Sequence, residues 1–183
     1  MSHKYRAGVV GSISILISLS VGSSYESALA TQISQFSQTA PNANPGLPNS
    51  KVTPSAIDPA VMQNNLDSTI CVVGYTKTVR PPASYTTALK RKQLASGYNY
   101  LGDLSTKSYE EDHLIPLELG GAPSDVRNLW PEPRHISWGA TKKDRLENKL
   151  HLLVCSHQIT LKVAQAAFAV NWVSAYKRYI AAS

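Results

Sequence analysis

Cysteine is scarce: the 183-residue chain has two. Two thiols cannot build a four-cysteine zinc site or a dense disulfide scaffold. Long apolar runs are missing beyond the N-terminal region, so no internal membrane span is expected. Acidic residues are outnumbered, 12 Asp+Glu against 18 Lys+Arg, for a net charge of +6 and a pI near 9.3. That balance favours anionic partners such as nucleic acid or anionic lipid, without choosing between them. No internal repeat is visible. What is present is ample apolar material, 43% of the chain, which excludes global disorder. The length suits one ordinary domain, alone or with a tail.

Residues 1–30 read as a secretory signal peptide. His3, Lys4 and Arg6 give a positive start, Ile13, Ile15, Leu16 and Ile17 an apolar centre, and Ala28 and Ala30 the small residues at the cleavage site. The competing reading is an uncleaved N-terminal anchor. Cleavage after Ala30 leaves 16 basic and 11 acidic residues, so the mature chain keeps a net charge of +5. Export implies an oxidising compartment, secreted or periplasmic. Cys71 and Cys155 are therefore expected to form a disulfide, with two buried free thiols as the alternative. Residues 31–57 read as a disordered Ser/Pro/Asn-rich linker; the segment through residue 59 holds five of the eleven prolines. The folded domain is then 58–183.

Within it, Asp58 with Pro59 opens a short helix. Thr69 to Val79 is β-rich and reads as strand, and Ser84 to Ala95 as helix. Glu110 to Leu117 and Val126 to Trp130 read as short strands, the second stopped by Pro131 and Pro133. Leu146, Leu150 and Leu153 recur at helical spacing and predict a helix over 141–154. Thr160 caps a helix through Ala169, and Asn171 caps a last one. The fold class is α+β.

The chemistry concentrates in one stretch. Asp112 and His113 are neighbours, so on an extended strand they face opposite ways; a bend at the strand end would bring both into one cleft. A carboxylate holds a hard divalent cation, and an imidazole beside it takes a proton from water near neutral pH. A following helix start carrying Lys142, Lys143 and Arg145 attracts phosphate. Together these are the parts for phosphodiester hydrolysis.

Asp112-His113-Leu114-Ile115-Pro116-Leu117, the pair Gly120-Gly121, and Asn128-Leu129 fifteen positions after His113 resemble the HNH, or ββα-metal, nuclease motif. The stretch 110–155 is similar to a group of secreted bacterial HNH-like proteins. The resemblance implies a β-hairpin with a helix packed across it, flanked by further helices, and one divalent ion, Mg²⁺ first and Mn²⁺ or Zn²⁺ as alternatives. It makes His113 the general base, Asp112 a metal ligand, and Asn128 the residue that fixes the loop and orients the base. The family's third element falls here on Ser137, which leaves Asp144 or His135 as candidates for the second ligand and His151 as a weaker one, with one carboxylate plus waters as the alternative. The two CxxC knuckles common in the family are absent.

The expected function is an exported endonuclease that cuts DNA or RNA with little sequence preference, as a monomer without stable membrane association. The rival is an inactive HNH-like scaffold that binds DNA or another polyanion. The bland readings are a surface Asp112–His113 pair, a turn asparagine at 128, a solvated basic helix face, and core roles for Trp130, Trp138 and Trp172.

Overall fold

The computed structural model describes residues 46–181. The chain divides into two units, residues 1–40 and 41–183, and every described residue belongs to the second. The signal-peptide reading and the first part of the linker lie outside the described residues.

The described fold is α+β, with one two-stranded antiparallel sheet and helices around it. Its elements are α1 (Tyr75–Val79), α2 (Ala83–Ala95), β1 (Tyr109–His113), β2 (Leu129–Pro133), α3 (Ala140–Cys155) and α4 (Leu161–Tyr176), with a π-helical turn over Lys177–Ala181. Among the described residues, no helix is long and apolar enough to cross a membrane.

The hairpin sets the register of everything else. Tyr109 pairs with Pro133, Glu111 with Pro131, Asp112 with Trp130 and His113 with Leu129. At its two ends Leu114 N donates to Asn128 O (2.8 Å) and Arg134 N to Ser108 O (2.9 Å). Hydrogen-bonded pairs alternate from these positions, which makes 112/130 and 110/132 bonded and 111/131 and 109/133 non-bonded. Both prolines therefore turn their nitrogens away from β1. The expectation that they stop the strand is wrong for this reason: a proline costs the ladder nothing where no N–H is required. The outward carbonyl of Leu129 is taken up by Gln93 Nε2 of α2 at 2.9 Å, and that of Tyr109 by Lys90 Nζ at 3.0 Å.

α3 and α4 pack together over the other side. Leu146, Leu150 and Val154 recur every fourth residue along α3 and are fully buried. Leu161, Ala164, Phe168 and Trp172 form the matching stripe on α4, and Trp130 joins them from the sheet. The two caps are where the sequence places them. Thr160 Oγ1 accepts from Val163 N, and Asn171 Oδ1 accepts from Ser174 N at 2.9 Å, restarting the helix after a break at Asn171. Cys71 and Cys155 are disulfide-bonded. Closing a loop of 84 residues removes unfolded-state entropy worth about 4–5 kcal/mol in the chain-entropy account.

Expectations for two stretches, 58–79 and 46–57, need correction. Thr69 to Val79 is not a strand. It is a turn followed by α1, with Gly74 at φ +86° between them. β-branched residues make a strand only beside a partner; here the chain is pinned by the disulfide and Val73 stands fully exposed, at 100%. Asp58 also closes a turn, its Oδ1 accepting from Ala60 N, and not a helix.

The second correction concerns residues 46–57, read as the end of a disordered linker. They form an ordered strap. Trp172 Nε1 donates to Gly46 O at 2.6 Å, Asn49 N donates to the Tyr98 hydroxyl, Thr53 is buried, and Ile57 bridges to Gly121. A polar segment gains order here through backbone hydrogen bonds, which composition does not reveal. Trp172→Phe removes the Gly46 anchor while keeping an aromatic ring in the core. Amide exchange at Asn49, Val52 and Thr53 should accelerate about tenfold, one hydrogen bond's worth, while α3 stays protected. Unchanged exchange at those three amides would contradict the anchoring role.

Candidate metal and active site

Strand alternation sorts the site into two faces. Glu110 and Asp112 of β1, with Trp130 and Glu132 of β2, face α3. Tyr109, Glu111 and His113 face α2. The pairing stays regular through His113, so no bend merges the two faces.

On the α3 face sits Lys143, with 0% of its side chain exposed. Its ammonium lies 2.6 Å from Asp112 Oδ2 and 3.6 Å from Glu132 Oε2, and it also bonds Glu147 one helical turn on. Three carboxyl groups share one buried cation, an excess of negative charge that favours protonation. Burial pushes Glu132 well above the ordinary carboxylate range, further than Lys143 can pull it back, and the Asp112 charge and a hydrogen bond to Asp112 raise it further. Burial likewise pushes Glu147 up to about 8. Burial opposes ionisation of Asp112 too, but the adjacent ammonium outweighs it and holds that carboxyl below its usual range. For Lys143, burial is overcome by Asp112, Glu147 and Glu132, and the ammonium stays charged.

Toward solvent, Asp112 is joined by Glu110 and Asp144. One oxygen from each lies within 4.8 Å of the others, Glu110 and Asp112 half-buried and Asp144 exposed. Burial raises both Glu110 and Asp144, and the Asp112 charge raises them further. Arg134 offsets part of the charge through a 3.0 Å pair to Glu110. Three oxygen donors converging on an open position fit a hard divalent cation such as Mg²⁺ or Mn²⁺ and suit Zn²⁺ less well.

His113 lies elsewhere. It is 3% exposed and does not gather with the acidic group. Its Nε2 is 2.9 Å from Pro123 O; a carbonyl only accepts, so Nε2 carries the proton and Nδ1 the lone pair. Burial, partly countered by the Pro123 bond and by Asp112, lowers the imidazole pKa and favours the neutral ring.

Asn128 holds the loop between. Fully buried, it accepts from Ile115 N (2.9 Å) and donates to Ile115 O (3.0 Å) and Ala122 O (3.2 Å). Gly121 must be glycine, because a Cβ there would strike Ile115 O and sit 2.8 Å from Asn128 Nδ2. Gly120 takes φ +70°, which glycine adopts freely.

Of the sequence candidates, Asp112 and Asp144 come together, and Glu110 joins them. His135 does not: it is exposed and belongs to neither group of potential ligands. Lys143 is no phosphate clamp, since the hairpin carboxylates have drawn it inside. Lys142 lies over the Trp138 ring at 4.4 Å, and Arg145 is exposed, 5.7 Å from the Tyr176 ring. Trp130 and Trp172 are core, and Trp138 packs edge-on against Trp172. Glu132 went unnoticed in the sequence, and Glu147 was read only as a partner of the lysines on a solvated helix face. The Lys143–Glu147 spacing of four and the alternation of 130 and 132 with 110 and 112 were the available signals. Comparison with protein-family models, curated proteins and solved structures returns no match.

Glu111, on the α2 face, has both carboxyl oxygens buried without a partner. Burial, moderated by Lys90 and reinforced by Asp112, raises it from 4.5 to about 8. As pH rises between those values the unfolded chain loses this proton and the folded chain keeps it. The folded state binds more protons in that window, so this group makes stability fall with rising pH. Glu111→Gln should therefore gain stability relative to the parent chain between about pH 4.5 and pH 8, read from urea midpoints. A difference constant across that range would contradict the assignment.

Proposed function

We propose that the chain is an exported, metal-dependent endonuclease of the HNH type, hydrolysing phosphodiester bonds in DNA or RNA with little sequence preference. The observation that carries this reading is the convergence of Glu110, Asp112 and Asp144 at the junction of hairpin and helix, within 4.8 Å of one another. The β1–β2–α3 order is the one the HNH resemblance requires. The disulfide suits an oxidising compartment.

Glu110, Asp112 and Asp144 would hold the ion, which supplies charge stabilisation at the leaving oxygen. The chain's own residues do the rest. His113, on the other face of β1, would take the proton from water through Nδ1 once its neighbours move aside, its other nitrogen being held by Pro123 O. Asn128 positions that carbonyl indirectly, by bonding Ala122 O one residue before it. Lys142 and Arg145, on the outer side of α3, meet phosphates without reading bases.

A second reading, an inactive HNH-like scaffold that binds a polyanion, is favoured by two observations. Lys143 already neutralises Asp112, and His113, at 3% exposure, reaches water only when its neighbours move aside. Supercoiled plasmid incubated with the oxidised protein and Mg²⁺ or Mn²⁺ separates the two. The nuclease reading expects metal-dependent nicking that falls about 10²–10⁴-fold in His113→Ala, with DNA retention unchanged. Retention without nicking under any divalent ion favours the scaffold.

A further inference from the structure

The disulfide has a third partner that the nuclease reading does not use. His151, one turn before Cys155 on α3, places Nε2 3.4 Å from Cys155 Sγ. Nε2, Cys71 Sγ and Cys155 Sγ all lie within 4.8 Å of one another, and all three residues are half-buried. Behind the ring, Glu118 Oε2 is 3.9 Å from Nδ1. An open pocket of about 160 Å³ lies over the group, lined by Val72, Gly74 and Tyr75 among others.

We propose that, once the disulfide is reduced, Cys71, Cys155 and His151 form a site for one soft divalent cation, Zn²⁺, with water in the fourth position. Tetrahedral zinc with bonds near 2.3 Å to sulfur and near 2.0 Å to nitrogen sets its sulfur and nitrogen ligands about 3.5 Å apart. The distance from His151 Nε2 to Cys155 Sγ already matches. A zinc-bound imidazole commonly donates its other N–H to a carboxylate, and Glu118 stands at that place. At present Nε2 donates to Ile70 O at 2.9 Å. Metal binding moves the ring proton to Nδ1, toward Glu118, and frees the Nε2 lone pair for the ion.

The chemistry balances with a dithiol reductant. It gives two electrons to the Cys71–Cys155 bond, leaves as its own disulfide, and transfers its two protons to the thiols. Zn²⁺ then displaces both protons to solvent as the two thiolates bind. The site is independent of the acidic group on the hairpin, where oxygen donors select a hard ion. The same chain thus carries two metal preferences, one of them exposed only under reducing conditions.

The test uses the full chain with Co²⁺ as a spectroscopic stand-in for Zn²⁺. A phosphine replaces the dithiol, which would chelate the metal; it becomes the phosphine oxide with oxygen from water. The oxidised chain should show no thiolate-to-cobalt charge-transfer band. The reduced chain should take up one Co²⁺ with that band and intense tetrahedral d–d absorption, and Zn²⁺ should bleach both. Cys155→Ser should lack the band, and Glu118→Gln should bind about tenfold more weakly. The proposal fails if the reduced chain stays folded and binds no Co²⁺ through sulfur. It also fails if His151→Ala binds as tightly as the parent, or if the oxidised chain gives the same spectrum. If reduction unfolds the chain, equimolar Zn²⁺ must restore its helical circular dichroism; failure to do so overturns the proposal.

Discussion

A buried ammonium group, that of Lys143, ties the hairpin to the helix beside the apolar contact of Trp130. It is buried among Asp112, Glu132 and Glu147. Taking a cation out of water costs several kcal/mol, and only close carboxylates offset that. Removing one partner from such a cluster strands the others and costs roughly 3–5 kcal/mol. The geometry of the site follows from this tie. With Lys143 anchored under the sheet, the next residue, Asp144, emerges at the rim beside Asp112 and Glu110. The acidic trio is therefore a by-product of how α3 docks, and the same docking gives the hairpin face a standing demand for positive charge. Lys143 meets that demand inside and Arg134 meets part of it outside.

A second chain of constraints runs through the loop between the strands. Asn128 bonds Ile115 on both sides of its peptide and also Ala122, so the loop folds back on the start of β2. Gly121 allows that approach because nothing larger fits against Ile115. The carbonyl of Pro123 then falls within reach of His113. One buried amide thus decides which nitrogen of an imidazole four residues beyond the start of the sheet keeps its proton. His113 and the carboxylates lie on opposite faces of one short strand, which is why access to His113 separates the nuclease reading from the scaffold reading.

Much of this was legible in the sequence. The α+β class, the two central helices, the caps at Thr160 and Asn171, and the cysteine pair follow from periodicity, capping chemistry and cysteine count. Asp112 and Asp144 became candidate ligands through the HNH resemblance, Asp112 from its place before His113 and Asp144 as the acid near the helix start that could replace the missing third element. Three things were hidden. Thr69 to Val79 has strand composition, but strand formation is settled by a partner that local sequence does not supply. The strap from Gly46 to Ile57 is held by backbone bonds and a tryptophan 126 positions away. Lys143 reads like its neighbours Lys142 and Arg145; only the register of the hairpin shows that three carboxyl groups wait for it. His135 failed as a ligand because the chain leaves β2 with that side chain turned to solvent.

The central claim is that Glu110, Asp112 and Asp144 form a cation site despite the lysine behind them. Electron paramagnetic resonance of Mn²⁺ added to the oxidised protein tests it most directly, since bound and free ion give distinct signals. The account predicts one bound Mn²⁺ per chain, lost in Asp144→Asn and retained in His151→Ala. A free-ion signal at equimolar Mn²⁺, or binding that survives Asp144→Asn unchanged, would contradict it.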